Sequence, residues 1–300
     1  MTNHFESLAR ELEASPNHRV LRRLEPRDVF CNSPCATPGV GIILDCETTG
    51  LDPSTAEIIQ LAMVKFHYSE DGAVLRVVDE FDELQEPSSP IPAEITRLTG
   101  IDDDMVRGHS IDPFRVEGFL LDADIVIAHC ARFDRPFVER VWPSFRTIDW
   151  ACSLDQVPWR DHGFDGAKLV HLLAHRGFFF EAHRAGQDCR ALLELLASPL
   201  PLDPEARPAL ATLLANARQN TTRLYAADAP FDMKDVLKAR RYRWSNGSNG
   251  ARKSWWLDLP AGEFEAEVEF LRAAVFGGRA VDFPTESITA KERYSDALSR

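Results

Sequence analysis

The sequence predicts an α/β protein, with a mixed sheet flanked by helices and a smaller α+β module towards the carboxy-terminal end. Three observations predict this class. Three strand-like apolar segments follow one another from about residue 40, strand-like and helical segments then alternate, and the local charge changes sign after the alternation ends. A chain of 300 residues with 44% hydrophobic content can bury one large core and one smaller core.

The first segments, taken in order, predict an extension followed by a meander. Residues 1–38 are polar and end in the turn-rich stretch CNSPCATPG, so we expect short helices and an N-terminal extension. VGIILD, EIIQLAMVKFHY and AVLRVVDEFDELQ then have the composition of strands separated by turns. Three consecutive strands of this kind favour an antiparallel arrangement.

The following segments complete a domain over residues 39–200. Two helical segments precede the strand DIVIAH, the helix FDRPFVERVW and a fifth strand, RTIDWAC. Apolar residues recur at i, i+3 and i+4 in DGAKLVHLLAHRG and GQDCRALLELLA, which predicts two more helices. The domain should therefore contain a five-stranded sheet with helices packed on it.

The remainder of the chain divides into a linker, a basic module and a tail. SPLPLDPEARP predicts a linker or short helical bridge over residues 201–217. Residues 218–255 contain nine Lys or Arg and three Asp, whereas residues 1–217 carry a net charge of -15. We expect a basic aromatic module over 218–283, with a hairpin turning at NGSNG, and a frayed polar tail over 284–300.

Composition excludes several classes of protein. The net charge of -13 argues against a generally basic nucleic-acid coat or a membrane-surface protein. No apolar run approaches the roughly 18 residues that span a bilayer, and the first residues lack the pattern of a signal peptide, so we expect no membrane partner and a cytoplasmic location. The six cysteines have no disulfide spacing, and free thiols are favoured over a metal clip at CNSPC.

Two carboxylates end the first strand in GIILDCETTGLDP. Because side chains alternate along a strand, Asp45 and Glu47 share one face and Cys46 points to the other. A divalent cation is the usual reason for two adjacent acids to stay ionised. Exposed acids at a strand end are the alternative.

Three further residues are candidates for the same site. Asp134 follows the strand DIVIAH at the start of a helix, where it could also be a helix cap. His183 and Asp188 lie in EAHRAGQD, before and one turn inside the next helix. A structural histidine and a helix N-terminal acid are the alternatives.

Taken in order, these motifs resemble the DEDDh branch of the DEDD 3'→5' exonucleases, which are DnaQ-like and include the proofreading subunit of bacterial DNA polymerase III. LDCETTGLDP, ITRLTGIDDDMVRG, AHCARFDRPFV and HRAGQD match its motifs over about residues 40–198. The resemblance implies a ribonuclease H-like fold. It also implies that Asp45, Glu47, Asp134 and Asp188 are metal ligands and that His183 is the general base.

The same resemblance implies a mechanism with two divalent ions, Mg²⁺ or Mn²⁺. Thr48, Leu51 and Phe133 would contact the terminal nucleotide, with ordinary packing as the alternative. Cys130 stands where the second motif usually has Asn, and we assign it no catalytic role.

The basic module interleaves aromatic and basic residues, as single-stranded nucleic acid requires. The expected contacts are Lys238, Arg240, Arg241, Trp244 and Lys253. The alternative is that Trp244 and Trp255 form the core of a small domain.

The leading hypothesis is a 3'→5' exonuclease that acts on DNA, or RNA, 3' ends, with a DNA polymerase or replication protein as partner. An accessory protein with an inert nuclease site and an endonuclease of the wider ribonuclease H-like group are the alternatives. DNA is favoured by the proofreading resemblance alone.

Overall fold

The computed structural model describes residues 2–32, 35–247 and 252–295. The strands are β1 (Arg22–Arg23), β2 (Gly39–Thr48), β3 (Ile58–Tyr68), β4 (Val74–Leu84), β5 (Ile125–Ala128), β6 (Asp149–Cys152), β7 (Phe178–Phe179), β8 (Thr221–Ala226), β9 (Arg243–Ser245), β10 (Ser254–Leu259) and β11 (Thr285–Ile288). The helices are α1 (Thr2–Glu13), α2 (Ala93–Thr99), α3 (Asp103–Val106), α4 (Pro113–Leu120), α5 (Ala131–Val141), α6 (Ser153–Gln156), α7 (Leu169–His175), α8 (Ala185–Ala197), α9 (Ala209–Arg218), α10 (Lys234–Ala239) and α11 (Phe264–Phe270).

The central sheet has the strand order β4-β3-β2-β5-β6. Strands β2, β3 and β4 form the predicted antiparallel meander. Strand β5 runs parallel to β2, and β6 runs parallel to β5. This mixed five-stranded sheet, flanked by helices, confirms the predicted fold class and has the ribonuclease H-like strand order.

Strand β2 lies at the centre of the sheet and is buried on both faces. Ile42, Ile43 and Leu44 are each 0% exposed. Ile43 packs in the apolar cluster that contains α7, α8 and α9, whereas Ile42 and Leu44 pack in the cluster on the opposite face with α4 and α5. A strand covered by helices on both faces must be a continuous apolar run, which is what GIIL provides.

The carboxy-terminal module contains a second, antiparallel sheet with the order β11-β8-β10-β9. Its core includes Leu224, Trp255 and Leu271 together with residues of α10 and α11. The predicted hairpin is confirmed by the pairing of β9 with β10, while residues 248–251 of its turn lie outside the described residues.

The expectation of a frayed tail from residue 284 is wrong for the part that the structure describes. Strand β11 pairs with β8 at the edge of the second sheet. The guanidinium of Arg135, which is 0% exposed, donates hydrogen bonds of 2.6 Å to the carbonyls of Lys291 and Arg293. Polar composition predicted disorder, but a buried arginine needs acceptors, and this backbone supplies them.

For residues 201–217 the sequence predicts a linker or a short helical bridge, and the second half forms a helix, α9. Helix α9 places Leu210, Leu213 and Leu214 in the core cluster beside α8. The Pro-rich stretch is therefore a turn between two packed helices, not a spacer between domains.

No helix in the described parts of the chain combines the length and apolarity that a membrane crossing requires. No disulfide joins cysteines of these parts either.

Candidate active site

The end of β2 presents Asp45 and Glu47 on one face of the sheet. The intervening Cys46 packs in the apolar cluster of the opposite face, as strand alternation requires. A register shift in the pairing of β2 with β3 follows directly, between Glu47 and Thr48. The irregularity ends the regular ladder at the position of the second carboxylate.

Helix α8 brings a third carboxylate to this face. Carboxylate oxygens of Asp45, Glu47 and Asp188 all lie within 4.8 Å of one another. Asp188 lies in the first turn of α8, and its Oδ2 accepts a hydrogen bond of 3.0 Å from the backbone N–H of Arg184. Asp188 therefore interacts with the N-terminal end of α8 and also belongs to the acidic cluster.

Asp134 approaches the same strand from α5 and is 2% exposed. Its Oδ1 accepts a hydrogen bond of 3.2 Å from the backbone N–H of Cys46. This N–H is available because the pairing of β2 with β5 ends at Ile43 and Ile127. Asp134 lies beside the three clustered acids but outside the group whose oxygens converge within 4.8 Å.

The four carboxyls have raised pKa values. Burial, followed by the charge of Asp134, raises the pKa of Asp45 well above its ordinary value. Burial raises the pKa of Glu47 to about 7, with Asp188 and Asp134 contributing, and Arg184 opposes the shift. Burial likewise raises the pKa of Asp134 to about 7 and that of Asp188 to about 6. Burial is the main cause of all four shifts, and the charges of neighbouring acids add to it at Asp45, Glu47 and Asp134, so a bound cation would favour the ionised forms.

The donor set fits a hard divalent cation. The three converging groups offer carboxylate oxygens, which Mg²⁺ and Mn²⁺ prefer, and no sulfur or imidazole atom belongs to the group. Asp45, Glu47 and Asp188 could therefore hold a metal ion. Asp134 lies close enough for its charge to act on Asp45, so it adds negative charge to the site.

His183 lies two residues before α8, with an exposed side chain and a left-handed backbone φ of 63°. Non-glycine residues seldom adopt this conformation. Burial raises the pKa of Asp188. Hydrogen bonds from the backbone of Arg184 and His183, together with the charge of His183, oppose this shift. The side chain of His183 is thus exposed and near enough to Asp188 to act on its carboxyl electrostatically.

The LTG part of the ITRLTGIDDDMVRG motif contacts the loop that contains His183 and Arg184. Gly100 directly follows α2, has a φ of 68°, and accepts a 3.4 Å hydrogen bond from Arg184 through its carbonyl. A Cβ at Gly100 would lie 3.0 Å from the Arg184 guanidinium. The glycine therefore permits the close approach of the two segments.

Sequence reasoning missed the residues that hold α8 in place. Gln60 pairs with Glu47 across the sheet, donates a 2.7 Å hydrogen bond to Asp82 and accepts a 3.3 Å hydrogen bond from the Ala185 N–H. A Cβ on Gly186 would lie 2.2 Å from Asp82 Oδ2. The glycine in HRAGQD was the available signal, since it marks this close approach.

The residues expected to contact the terminal nucleotide lie around the cluster. Thr48 is buried, and its hydroxyl donates a 2.6 Å hydrogen bond to the Gly50 carbonyl. Leu51 is 85% exposed. Phe133 is partly buried and packs against Phe137 at 5.1 Å between ring centroids.

The five expected contacts of the basic module have different environments. Lys238, Arg241 and Lys253 are exposed. Arg240 forms an ion pair with Glu267, and its guanidinium lies 3.8 Å from the Phe270 ring centroid.

Trp244 is 50% exposed and packs 5.5 Å from Trp255, measured between ring centroids. Trp255 belongs to the core of the module, which agrees with the alternative that it is a packing residue.

Residues 42–196 match the family model RNase_T, described as exonuclease. The chain is 39% identical over 113 residues to DNA polymerase III PolC-type of Thermotoga petrophila, covering 36% of this chain and 8% of that protein. It is 29% identical over 174 residues to the PolC-type polymerase of Caldanaerobacter subterraneus, covering 56% of this chain and 12% of that one. The chain thus spans about a tenth of these relatives.

Among solved structures, the chain is similar to E. coli Exonuclease I in complex with a 5cy-dT13 oligonucleotide. The TM-score is 0.48 and the identity 12%, over 85% of this chain and 64% of that one.

Proposed function

The chain belongs to the RNase_T exonuclease family, of the DEDDh, DnaQ-like type, and we propose on this premise that it removes nucleotides from the 3' ends of nucleic acid, with DNA favoured. The family match supports a nuclease enzyme. The observation that carries the proposal is the convergence of three carboxylates within 4.8 Å at the end of β2, beside Asp134 and His183. Such a cluster suits phosphodiester hydrolysis assisted by divalent ions.

In this proposal Asp45, Glu47, Asp134 and Asp188 hold two divalent ions, Mg²⁺ or Mn²⁺. When bound, the ions supply an activated water and stabilise charge on the attacked phosphate and the leaving oxygen. The protein contributes rigidity, because β2 is buried on both faces and α8 packs directly on it. Rigid mounting keeps the carboxylates together in spite of their repulsion.

His183 acts as the general base in this proposal. Its side chain is exposed and near Asp188, where a water beside the phosphate could reach it. A general base takes a proton from the attacking water, and histidine is the side chain most often used for this role. Support comes from the turn before α8, where His183 has a left-handed backbone and the next residue, Arg184, donates its N–H to Asp188.

The last nucleotide would lie against Leu51 and Phe133, with Thr48 contributing through its backbone. The exposure of Leu51 supports this placement, because an apolar side chain that is 85% exposed is available to a base. The Thr48 hydroxyl already donates to Gly50, which favours the backbone as the contact.

A replication polymerase is the partner that we propose, with a cytoplasmic location. Support comes from the relatives that the chain matches, which are PolC-type DNA polymerases. The matched region is a small part of those proteins.

The deciding experiment incubates the purified protein with 5'-labelled single-stranded DNA or RNA of equal sequence, with Mg²⁺, with Mn²⁺ and with EDTA. A ladder that shortens from the 3' end, only with metal, is the expected result. A substrate with a blocked 3' end should resist cleavage, and a circular strand should resist it as well. Binding without shortening would favour the inert accessory protein, and cleavage of the circle would favour an endonuclease.

A further inference from the structure

A polar cleft lies between the exonuclease domain and the carboxy-terminal module. Its volume is about 630 Å³, within the range of ligand sites. The exonuclease domain and α9 contribute Arg132, Asp155 and Asn216 to its wall, and the module contributes the ends of α10 and the β9–β10 hairpin. Arg293 and Tyr294, from the segment expected to be frayed, complete the lining.

Five arginines line this cleft: Arg132, Arg240, Arg241, Arg243 and Arg293. Three of its four acids have arginine partners, in the pairs Arg132–Asp155, Arg240–Glu267 and Arg223–Asp258. Within the described residues, no carboxylate forms an ion pair with the other three lining arginines, Arg241, Arg243 and Arg293. The lining therefore has five arginines and four acids, and three of the arginines have no carboxylate in ion-pair contact among the described residues.

Arg132 and Arg243 repel each other within the lining. Desolvation lowers the pKa of Arg243 and the charge of Arg132 lowers it further, whereas the charges of Asp155 and Asp258 oppose the shift. The Nε of Arg293 is buried without a hydrogen-bond partner among the described residues, although its other nitrogens donate to the carbonyls of Ala217 and Gln219. Like charges held together in this way favour an anionic ligand.

One face of the second sheet supplies the module side of the cleft. Register places Arg243 opposite Trp256, and Asp258 opposite Arg223, all on the face away from the module core. The Arg223 guanidinium lies 3.9 Å from the centroid of the Trp256 ring, and that of Arg243 lies 5.8 Å from it. Trp244 and Trp255 occupy the other face.

The cleft adjoins the candidate active site at the start of α5, although its lining includes none of the four carboxylates and not His183. Arg132 and Asp134 are two residues apart on this helix, so their Cα atoms are about 5.4 Å apart. The Cys130 thiol lies between the two regions. Burial and then the charge of Asp134 raise its pKa, and Asp155 and Arg132 of the cleft act on it as well.

We propose that this cleft binds the phosphodiester backbone of the substrate strand on the 5' side of the nucleotide that is removed. This inference rests on the proposed function. Arg241 and Arg243 contact phosphates from the module, and Arg132 guides the strand towards the end of β2. Charge complementarity favours an anionic occupant over an apolar one, and the position beside a proposed phosphodiester-cleaving site favours a nucleic-acid strand over an acidic protein.

The test compares two double variants with equal loss of charge. Arg241→Gln with Arg243→Gln removes charge from the cleft, whereas Arg272→Gln with Arg279→Gln removes it from exposed positions of the same module outside the cleft lining. Binding of labelled single-stranded DNA of about 20 nucleotides is measured by anisotropy in EDTA over a range of salt concentrations. Thermal denaturation verifies folding, and the single variant Arg243→Gln serves if the double variant is unstable.

We expect the cleft variant to bind the long strand about 10- to 100-fold more weakly, with a salt slope smaller by about 1.4, as expected for two lost phosphate contacts. With metal, kcat/KM for this strand should fall by a similar factor, while a dinucleotide is cleaved as by wild type. The control pair should resemble wild type.

Three results would overturn the proposal. Equal losses in both double variants would mean general surface attraction, and equal losses on the dinucleotide would mean damage to the active site. Full competition by thymidine monophosphate or inorganic phosphate, without any dependence on strand length, would mean a small-anion site. If strand binding follows the expected pattern but no nucleotide is released, the cleft stands and the proposed nuclease function falls.

Discussion

The acidic end of β2 and the arginine-lined cleft are opposites in charge but similar in construction. In the first, burial and mutual repulsion raise the pKa values of carboxyls, including Glu47 to about 7. In the second, desolvation and a neighbouring arginine lower the pKa of Arg243. Each region holds like charges on a rigid sheet or helix. We interpret them as sites for ligands of opposite charge, cations in one and phosphates in the other.

The regions differ in the cost of losing one charge. The acidic groups converge within 4.8 Å, so each is expected to be essential for binding a metal. The arginines are spread along a cleft of about 630 Å³, so each contributes separately to strand binding. The acidic site should respond to substitution in an all-or-none manner, and the cleft should respond gradually.

The largest effect is expected from Asp45→Ala or Asp188→Ala. Either change removes a carboxylate from the convergent group, so turnover should fall by at least about 10³-fold, a loss of metal-assisted chemistry. Gel assays of nucleotide release measure it, and circular dichroism verifies the fold. Glu70→Ala is the matched control, because Glu70 is an exposed acid in the β3–β4 turn at the far end of the sheet. Turnover equal to wild type in the two variants would refute the site.

His183→Ala should have the next largest effect. Loss of a general base lowers kcat by about 10²- to 10⁴-fold. The rise in melting temperature caused by Mn²⁺ should remain, because the carboxylates are intact. His171→Ala, which changes an exposed histidine on α7, is the control. Loss of the Mn²⁺ effect in His183→Ala would make His183 a ligand instead of a base.

Metal binding by the acidic cluster should depend on pH, which distinguishes this cluster from the arginine-lined cleft. The carboxyl pKa values of Glu47, Asp134 and Asp188, at about 6 to 7, exceed those of an unfolded chain, so the metal-free native state holds more protons and loses stability as pH rises through this range. Metal binds the ionised form. The Mn²⁺-induced rise in melting temperature should therefore be about 5 °C near pH 8, at a concentration about 100 times Kd, and smaller near pH 5.5.

Asp45→Asn with Glu47→Gln provides the control for this pH effect. Removing two ionisable groups should flatten the fall in metal-free stability with pH and abolish the effect of Mn²⁺. A Mn²⁺ effect of the same size near pH 5.5 and pH 8, in wild type, would contradict competition between protons and metal at about these pKa values.

The smallest effect is expected from Gly186→Ala. The added methyl would meet Asp82 at 2.2 Å, so α8 or Asp82 must shift, which costs about 1 to 3 kcal/mol. Displacement of α8 should also lower kcat by about 10-fold. Asp82→Ala in combination should restore part of the stability lost. An additive loss in the double variant would mean that Asp82 is not the obstacle.

Much of the exonuclease domain could be predicted from local pattern. The apolar run of β2, the alternation that places Asp45 and Glu47 on one face, and the order of the motifs are properties of short segments. The sheet confirms the first two directly. The roles of His183 and of the nucleotide contacts remain predictions, since no pattern measures chemistry.

Other features depended on contacts between distant segments. Helix α9 followed a Pro-rich stretch, and only its packing against α8 distinguishes it from a linker. Residues 285–295 are polar, yet they pair with β8 and satisfy the buried Arg135. Composition reports the preference of a segment alone, whereas order depends on whether a partner exists for its hydrogen bonds.

The sequence by itself determined that Asp45 and Glu47 share one face of β2, because side chains alternate along a strand. Only the tertiary structure decided how α8 is held against Gln60 and Asp82, and where the arginines meet. Arg132 lies on α5 and Arg243 on β9, far apart in the chain. The two charges interact only when folding brings these elements together, since electrostatic interaction depends on distance in space.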